Sequence, residues 1–295
     1  MTPTAIDATE ADRSNVGEEL ARAAVRLQAA GVEGPRRDAR LLLARVLGVN
    51  IEAILAHPEQ PLTPPQCAAF EALVARRTER EPLSRILGER EFWGLSLRIS
   101  AATLDPRPDS ETLVEAVLER LPTRSEACSI LDLGTGSGCL LLALLMELPH
   151  ATGLGVDFDP AAIETARGNA QRLGLAGRAR FAAGNWGEAV SGGWKAIVSN
   201  PPYITESAID SLAPEVALYE PRRALDGGSD GLSAYRSLAP QLRRLLAPDG
   251  VAVLEIGEGQ AASVEDLLAA AGLVSWGRRR DLAGFDRCVI ATVAS

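Results

Sequence analysis

The segment Ser129–Gly138 reads Ser-Ile-Leu-Asp-Leu-Gly-Thr-Gly-Ser-Gly, and the apolar helix formers of Cys139–Leu148 follow it. A short apolar strand, a glycine turn and a helix in this order are typical of nucleotide sites in doubly wound α/β sheets. Glycines adopt positive φ and let a ligand approach the backbone, while the helix N-terminus offers free N–H groups. The spacing G-x-G-x-G is neither the dinucleotide fingerprint nor a phosphate loop, which needs a Lys-Ser/Thr pair. The residues predicted to hold this ligand are Gly134, Thr135, Gly136, Ser137 and Gly138.

An acid follows the next predicted strand. Thr152–Val156 is apolar or small, and Asp157 comes directly after it, 19 residues past Gly138. A carboxylate at the end of the second strand can accept both hydroxyls of a ribose. Capping of the next helix is the alternative for Asp157, but Asp159 has the better N-cap position before Pro160.

A second polar motif, Asn200-Pro201-Pro202-Tyr203, closes the apolar run Ala196–Ser199. Proline has no N–H and a fixed φ, so the chain must leave the sheet here. Open α/β sheets bind ligands at this carboxyl edge. The side-chain carbonyl of Asn200 and the backbone carbonyl of Pro201 can together accept both hydrogens of an NH2 group. The alternative is a loop whose prolines only end a strand.

Length and charge limit the classes of protein. The chain has 295 residues, enough for two domains. A net charge of -9 argues against binding through broad phosphate contacts, so nucleic acid is not the expected partner. The cysteines are scattered without a C-x-x-C pair and the histidines stand alone, so no metal site or disulfide framework is expected. These residues are Cys67, Cys128, Cys139, Cys288, His57 and His150.

Targeting signals are not evident. The segment Met1–Asn15 is polar and acidic, unlike a secretory signal, and no apolar run is long enough to span a bilayer. We therefore expect a cytoplasmic protein without a membrane partner, and a monomer is the default expectation.

The first part of the chain is predicted to be helical. Apolar residues recur at helical spacing in Val16–Ala30 and Asp38–Leu47, and helices are also expected over Ile51–Leu55 and Pro65–Glu79, the last capped by Thr63. No catalytic constellation appears in this region. Its charged residues are expected to form solvated helix faces, and binding of a partner protein is the functional alternative.

A hairpin is predicted after these helices. The segment Phe92–Ile99 alternates and contains a glycine. Asp105–Glu111 precedes a helix over Thr112–Arg120, and its prolines make the loop rigid. This loop either lines a ligand site or only starts the helix. The expected boundaries are 1–88 for the helical domain, 89–104 for the hairpin and 105–295 for the α/β domain.

Strand and helix patterns alternate through the remaining chain, which predicts a parallel doubly wound sheet. Asn185 and Trp186 follow one of these strands, where an amide and an indole can bracket an adenine. Burial of Trp186 in the core is the alternative. The expected strands are Arg178–Ala183, Lys195–Ser199, Val251–Ile256 and Cys288–Val293, and the expected helices are Ser233–Leu246 and Ala261–Ala271.

Motifs spread along the chain occur together in one known family. They are Asp132–Gly138, Asn200–Tyr203, Tyr219-Glu220-Pro221, Ala224-Leu225, Gly227-Gly228, Asp230–Leu232 and Pro106–Pro108, with Gly31-Val32, Asp38-Ala39 and Leu41–Leu43 in the helical part. With this combination the chain resembles the release-factor glutamine methyltransferases (PrmC/HemK family), from residue 16 to the C-terminus. The glycine-turn motif or the Asn-Pro-Pro-Tyr motif alone is typical only of class I S-adenosylmethionine-dependent methyltransferases that act on nitrogen.

The resemblance implies a fold, a reaction and a partner. The fold is a Rossmann-like, doubly wound, seven-stranded methyltransferase sheet with a small N-terminal helical domain and a β-hairpin linker. The reaction is methyl transfer from S-adenosylmethionine to the glutamine side-chain nitrogen in the Gly-Gly-Gln motif of class-one peptide chain release factors, with S-adenosylhomocysteine as product. No nucleic acid is required directly, and the helical domain is implied to dock the substrate.

The resemblance also implies roles for residues. Gly134–Gly138 would hold the methionine part of the cofactor, Asp157 the ribose, and Asn185 and Trp186 the adenine, while the Asn200, Pro201, Pro202 and Tyr203 motif would be catalytic, with Asn200 also facing the cofactor. Two positions depart from the family, which usually has aspartate at Asn185 and glutamate at Asp109. Because an asparagine carbonyl can still accept from an adenine amino group, only a modest weakening is expected.

Three alternatives stay open at this point. A glutamine methyltransferase of a ribosomal protein shares nearly every motif. A DNA amino-methyltransferase shares the Pro-Pro-Tyr motif. Such an enzyme needs a base-flipping groove and usually a basic recognition domain, which this acidic chain lacks. A binding module that has lost its chemistry is disfavoured by the intact Asn200 and glycine turn.

Overall fold

The computed structural model describes residues 14–121 and 124–294. Within them the chain forms two compact units, separated in sequence between Leu87 and Gly88. Most of the polar segment Met1–Asn15 lies outside the described residues. Among the residues that are described, no helix has the length and apolar character needed to cross a membrane.

The first unit is helical, and two of its longest helices begin with capping boxes. Asn15 and Glu18 form a reciprocal capping box at the start of the first helix, and Thr63 and Gln66 form another at the fourth. The predicted cap at Thr63 is therefore confirmed. The helices are α1 (Val16–Ala29), α2 (Pro35–Leu47), α3 (Ile51–Ala56), α4 (Pro64–Thr78) and α5 (Leu83–Leu87), of which α5 is not predicted from the sequence.

The core of this unit is mainly apolar and encloses one buried ion pair. Leu27, Leu42 and Phe70 are buried where α1, α2 and α4 pack together. Beside them Arg77 Nε donates to Asp38 Oδ2 at 2.9 Å, and both side chains are buried. Burial of either charge alone would be strongly unfavourable. Each charge here offsets the desolvation cost of the other. The expectation that charged residues here lie on solvated faces is wrong for these two.

A hairpin opens the second unit. Strands β1 (Glu89–Phe92) and β2 (Leu95–Arg98) pair antiparallel. The two turn residues, Trp93 and Gly94, have φ values of 53° and 69°, as the common two-residue hairpin turn with two positive φ angles requires. The predicted hairpin is confirmed, although it begins at Glu89 instead of Phe92.

A seven-stranded sheet lies at the centre of the described part of the second unit. Its strands are β3 (Ser129–Leu133), β4 (Thr152–Asp157), β5 (Ala179–Ala183), β6 (Trp194–Ser199), β7 (Leu246–Glu255), β8 (Leu273–Arg280) and β9 (Asp286–Val293). The order across the sheet is β5-β4-β3-β6-β7-β9-β8. The seven-stranded Rossmann-like sheet implied by the resemblance is confirmed.

The expectation of a wholly parallel sheet is wrong at one edge. Strands β3 to β7 are parallel, but β9 is antiparallel to both β7 and β8. A short loop joins β8 to β9, and such a hairpin gives antiparallel neighbours because a parallel pair needs a long crossover. Strand β8 is not predicted from the sequence. It is an edge strand with a charged end, Arg278–Arg280, and alternate residues face solvent.

Helices cover both faces of the sheet. Neighbouring strand residues point to opposite sides, so Ile130 packs in one apolar cluster with the helices that begin at Glu111, Cys139 and Pro160. Leu131 packs in the other cluster with the helices that begin at Ser233 and Ala261. The fold is therefore doubly wound. The helices are α6 (Glu111–Arg120), α7 (Cys139–Glu147), α8 (Pro160–Arg172), α9 (Glu206–Ile209), α10 (Pro214–Ala217), α11 (Arg222–Leu225), α12 (Ser233–Leu245) and α13 (Ala261–Ala270), and a 3-10 turn at Pro108–Ser110 precedes α6.

Candidate active site

The residues predicted from the sequence lie along one edge of the sheet. The turn Gly134–Gly138 follows β3, Asp157 ends β4, Asn185 follows β5 and Asn200 follows β6. These four strands are parallel and adjacent in the order β5-β4-β3-β6. Because the carboxyl ends of parallel strands share an edge, the structure brings these segments together.

The glycine turn is fixed by backbone hydrogen bonds and needs its glycines. The N–H groups of Gly134 and Thr135 donate to the Val156 carbonyl at 2.8 and 3.0 Å. Gly134 has φ 77°, and a Cβ there would lie 3.2 Å from the Trp186 ring. Glycine is thus required at Gly134 both for its conformation and for the close approach of the indole.

Asp157 is held in place by the backbone around it. Its Oδ2 accepts from the Gly136 N–H at 2.8 Å, and its Oδ1 accepts from the Asp159 N–H at 2.9 Å. Asp159 in turn accepts from the Ala161 N–H at 2.8 Å and caps α8, so the predicted cap is confirmed. Each oxygen of Asp157 keeps further acceptor capacity, because a carboxylate oxygen has two lone pairs.

A buried acid lies under the turn. Asp132 is 1% exposed, and Thr135 Oγ1 donates to its Oδ2 at 2.7 Å. Burial raises the pKa of Asp132 to about 7, and the Thr135 hydrogen bond only partly opposes this. Its other oxygen, Oδ1, is buried without a hydrogen-bond partner among the described residues. Buried polar atoms are nearly always paired, so an Oδ1 without a partner marks this acid as a candidate for contact with a bound ligand.

Asn185 and Trp186 differ in burial. Asn185 is exposed, and its Nδ2 donates to Glu188 Oε1, which leaves its side-chain carbonyl as an available acceptor. Trp186 is half-buried with φ 50°; it packs against the apolar cluster on the α12 side and also borders Gly134. The ring therefore packs partly in the core and partly beside the turn, and its contact with an adenine stays a prediction.

The Asn200 motif lies beside the glycine turn and is anchored from a distant loop. Ser199 Oγ donates to the Leu133 carbonyl at 2.6 Å, so the residue before Asn200 contacts the residue before Gly134. Asn200 Nδ2 donates to Ser110 Oγ at 3.1 Å. No donor among the described residues contacts Asn200 Oδ1. The tip of β6 therefore presents a side-chain carbonyl that has no donor in the described part of the chain.

Tyr203 and Ser110 meet at a second buried acid. Ser110 Oγ donates to Glu255 Oε2 at 2.6 Å, and the Tyr203 hydroxyl donates to Glu255 Oε1 at 3.3 Å. Glu255 ends β7 and is 1% exposed. Burial raises its pKa to about 7, although Ser110, Arg287 and Tyr203 favour the ionised form. Burial and Glu255 also raise the pKa of Tyr203, so its hydroxyl remains a donor.

Neither Ser110 nor Glu255 is among the site residues predicted from the sequence. One signal was available, because Glu255 interrupts the apolar strand pattern Val251–Ile256, and an acid in such a run is normally buried with partners. Ser110 carries no comparable signal. Its link to Asn200 spans 90 residues and depends on the folded structure.

The connection after the motif is tightly fitted. Gln260 Nε2 donates to the Tyr203 carbonyl at 3.0 Å and to the Gly231 carbonyl at 3.3 Å. Gly231 has φ 76°, and a Cβ there would come within 2.5 Å of the Tyr203 carbonyl oxygen. A side chain at Gly231 would therefore displace the backbone of Tyr203.

The proline loop is more than a helix start. Arg107 donates to Glu220 Oε1 at 3.1 Å, and the Asp105 N–H donates to Glu220 Oε2 at 3.2 Å. The Glu220 side chain is fully buried. These bonds fix the loop that carries Ser110 to the chain that follows the Asn200 motif.

Known proteins match the chain along most of its length. A model of the PrmC N-terminal domain matches residues 18–88, and a model of the methyltransferase small domain matches residues 102–231. A release factor glutamine methyltransferase from Rhodospirillum rubrum is 54% identical over 94% of this chain and 84% of that protein. One from Bradyrhizobium diazoefficiens is 47% identical over 91% of each. The chain belongs to the release factor glutamine methyltransferase family.

A solved structure agrees with this fold. The hMettl16 catalytic domain in complex with MAT2A 3'UTR hairpin 6 matches over 79% of this chain and 83% of its own length, with a TM-score of 0.54 and 14% identity. At that identity the likeness shows the fold alone. The family resemblance read from the sequence motifs is confirmed, and the chain is a methyltransferase.

Proposed function

We propose that this chain transfers a methyl group from S-adenosylmethionine to the side-chain amide nitrogen of the glutamine in the Gly-Gly-Gln motif of class-one peptide chain release factors. One observation carries the proposal. Asn200 gives its Nδ2 to Ser110, so its Oδ1 is left to accept from a substrate. A primary amide offers two N–H donors, and the backbone carbonyl of Pro201 supplies the second acceptor.

The glycine turn fits the cofactor. A Cβ on Gly136 would meet nothing within 4 Å, so the turn borders open space. Under it Asp132 Oδ1 is a buried acceptor that lacks a partner among the described residues. S-adenosylmethionine supplies an electrophilic methyl group on a sulfonium when it is bound. Asp132 Oδ1 suits a ligand donor, and the closely approachable backbone of Gly134–Gly138 suits the methionine part.

The remaining cofactor groups are assigned to the neighbouring strand ends. The carboxylate of Asp157 is immobilised by two backbone N–H groups, and its remaining lone pairs suit ribose hydroxyls. The available carbonyl of Asn185 suits the adenine amino group, and the indole of Trp186 suits its ring face. S-adenosylhomocysteine would leave the same site as product.

Methyl transfer to an amide nitrogen depends on orientation of the substrate NH2 group more than on a catalytic base. An amide nitrogen is a weak nucleophile because its lone pair is delocalised into the carbonyl. Asn200 Oδ1 and the Pro201 carbonyl would fix both hydrogens of the substrate NH2, favour its pyramidal form and stabilise the positive charge that develops on nitrogen. Tyr203 would pack against the amide plane. The proton can leave after transfer, so no deprotonation is needed beforehand.

The proposed partner is a release factor, and the first helical unit is proposed to dock it. A net charge of -9 favours a protein over a nucleic acid as the partner. The protein would act as a monomer in the cytoplasm, where translation terminates. Residues 1–88, 89–104 and 105–295 are proposed as the docking domain, the hairpin linker and the methyltransferase domain.

Transfer of a radiolabelled methyl group tests this function. A purified class-one release factor, a ribosomal protein and duplex DNA are offered at equal concentrations. We expect label only in the release factor, with peptide mass spectrometry placing it on the motif glutamine. A release factor with that glutamine replaced by alanine should take none. Label in the ribosomal protein or DNA, or in none of the three, would overturn the assignment.

A further inference from the structure

The carboxylate of Glu255 is connected to both polar ends of the Asn200–Tyr203 motif. We propose that Glu255 is a positioning residue: it sets which end of the Asn200 amide, oxygen or nitrogen, faces the substrate. This inference rests on the proposed function and adds a residue to its machinery.

The hydrogen bonds form a relay with one direction. Asn200 Nδ2 donates to Ser110 Oγ at 3.1 Å, and Ser110 Oγ donates to Glu255 Oε2 at 2.6 Å. A serine hydroxyl has a single hydrogen, and Glu255, whose pKa is raised to about 7, can only accept once it is ionised above that pH. Once Ser110 gives its hydrogen to Glu255, it can only accept from Asn200. The asparagine must then turn its NH2 toward Ser110 and its carbonyl away.

Loss of the Glu255 carboxylate as acceptor would permit the opposite orientation of the Asn200 amide. Ser110 could then donate to the Asn200 carbonyl, and the amide would present Nδ2 to the substrate. The oxygen and nitrogen of an amide are nearly equal in size, so packing alone does not choose between the two orientations. Two NH2 groups would then face each other, and the substrate amide would lose an acceptor.

Burial makes the relay depend on Glu255. The residue is 1% exposed and Ser110 is 2% exposed, so water does not replace the carboxylate readily. The other oxygen of Glu255 accepts from the Tyr203 hydroxyl at 3.3 Å, a longer contact at the far end of the same motif. One buried carboxylate thus reaches Tyr203 directly and Asn200 through Ser110.

Tyr235 offers a matched control, because it binds the backbone of Glu255 and not its carboxylate. The Tyr235 hydroxyl donates to the backbone carbonyl of Glu255 at 2.8 Å, so it holds the end of β7 without contacting the carboxylate. Tyr235 is buried, as Glu255 is. Tyr235→Phe therefore removes one buried hydrogen bond at the same residue but leaves the relay intact.

The first experiment compares Ser110→Ala, Glu255→Gln and Tyr235→Phe. For each, kcat and KM are measured with release factor above the pKa of Glu255, where its carboxylate is ionised, and the cofactor dissociation constant is measured by calorimetry at the same pH. We expect Ser110→Ala and Glu255→Gln to lower kcat by about 10-fold, with cofactor affinity within about 2-fold, and Tyr235→Phe to keep kcat within about 2-fold. In the double variant the losses should not multiply, since both act on one amide. Multiplying losses, or an unchanged kcat in Ser110→Ala, would contradict the relay.

A reversed relay tests its direction. Asn200→Asp places two carboxylates around the single hydrogen of Ser110, which should abolish most activity. Adding Glu255→Gln supplies an N–H donor to Ser110, whose hydrogen can then go to Asp at position 200, leaving the second carboxylate oxygen for the substrate. We expect this second change to raise kcat above that of Asn200→Asp by about 5-fold or more.

The two proposals fail differently. If the unaltered protein does not methylate a release factor, the proposed function is wrong. If it does, but Glu255→Gln lowers the activity of Asn200→Asp further or leaves it unchanged, only the positioning role is wrong. Ser110→Ala is the smallest change, so it keeps the test valid if a Glu255 variant does not fold.

Discussion

The two halves of the candidate site are built from different kinds of contact. On the β3–β4 side, Asp157 is held by the backbone N–H groups of Gly136 and Asp159, 21 and 2 residues away. On the β6–β7 side, Asn200, Ser110 and Glu255 are joined by side chains separated by 90 and 145 residues. The first half depends on local backbone conformation, and the second depends on the assembly of the whole unit.

This difference predicts different failures. A change in the backbone-built half should alter cofactor binding or stability. A change in the side-chain half should alter the reaction while the cofactor still binds. If a change in the side-chain half also weakened cofactor binding, or a change in the backbone-built half lowered the rate at saturating cofactor, the two halves would form one cooperative site.

The largest effect is expected at Asn200. Asn200→Ala removes the acceptor proposed for the substrate NH2, and single preorganised groups of this kind are worth about 100-fold or more in rate. We expect kcat to fall by that amount, with cofactor affinity little changed. Steady-state methyl transfer and calorimetry on the same preparation measure the two quantities.

Near-normal turnover by Asn200→Ala would remove the proposed mechanism. A parallel loss of cofactor affinity would instead mean that the β6 tip belongs to the cofactor half.

The next largest effect is expected at Asp157. A hydrogen bond to a charged acceptor contributes about 1.5–3 kcal/mol, so Asp157→Ala should weaken cofactor binding by about 10-fold or more. At saturating cofactor, kcat should stay within about 3-fold. Asp159→Ala is the matched control, because it removes only the cap of α8 and should cost about 1 kcal/mol of stability without changing cofactor affinity. Equal affinities for both variants would argue against a ribose role for Asp157.

The glycine turn allows a finer comparison. Gly134 and Gly136 both have positive φ, 77° and 53°, so alanine is strained at either position. A Cβ at Gly134 also lies 3.2 Å from the Trp186 ring, whereas one at Gly136 meets nothing within 4 Å. We therefore expect Gly134→Ala to be less stable than Gly136→Ala by about 1 kcal/mol in urea unfolding. A reversed order would mean that the indole moves aside freely.

The same division explains what the sequence could predict. The glycine turn, Asp157 and the Asp159 cap follow from local rules, since φ, capping and strand ends are properties of a few consecutive residues. Most predicted helices and strands agree with the structure to within a few residues for this reason. Family membership followed from the same local motifs.

Features that depend on tertiary pairing were missed. The antiparallel β9 and the edge strand β8 depend on which strand is chosen as neighbour, and a local pattern does not encode that choice. Ser110 looks like an ordinary residue before a helix until the fold brings it to Asn200. Glu255 was detectable as an acid in an apolar strand, but its partners were not.

The smallest predicted effect concerns the two buried acids, one in each half. Burial raises the pKa of Asp132 and of Glu255 to about 7, whereas in the unfolded chain both groups ionise at ordinary acidic pH. Around Glu255, the charge of Arg287 favours ionisation and that of Asp109 opposes it, while Ser110 and Tyr203 donate to it. The folded state therefore holds more protons than the unfolded state between pH 4.5 and about 7.

Stability must then fall as pH rises through this window, by at most about 1.4 kcal/mol per pH unit for each group. Glu255→Gln and Asp132→Asn each lack one such group, so the unfolding free energy of the unaltered protein relative to either variant should decrease by about 1 kcal/mol between pH 6 and 7. All four tryptophans, Trp93, Trp186, Trp194 and Trp276, lie in the second unit, so their fluorescence during urea unfolding reports on that unit. A difference that grows with pH would mean that the folded protein favours the ionised acid. If only one variant shows the decrease, only one of the two buried acids has a raised pKa in the folded protein, and the two halves of the site then differ in charge state as well as in their contacts.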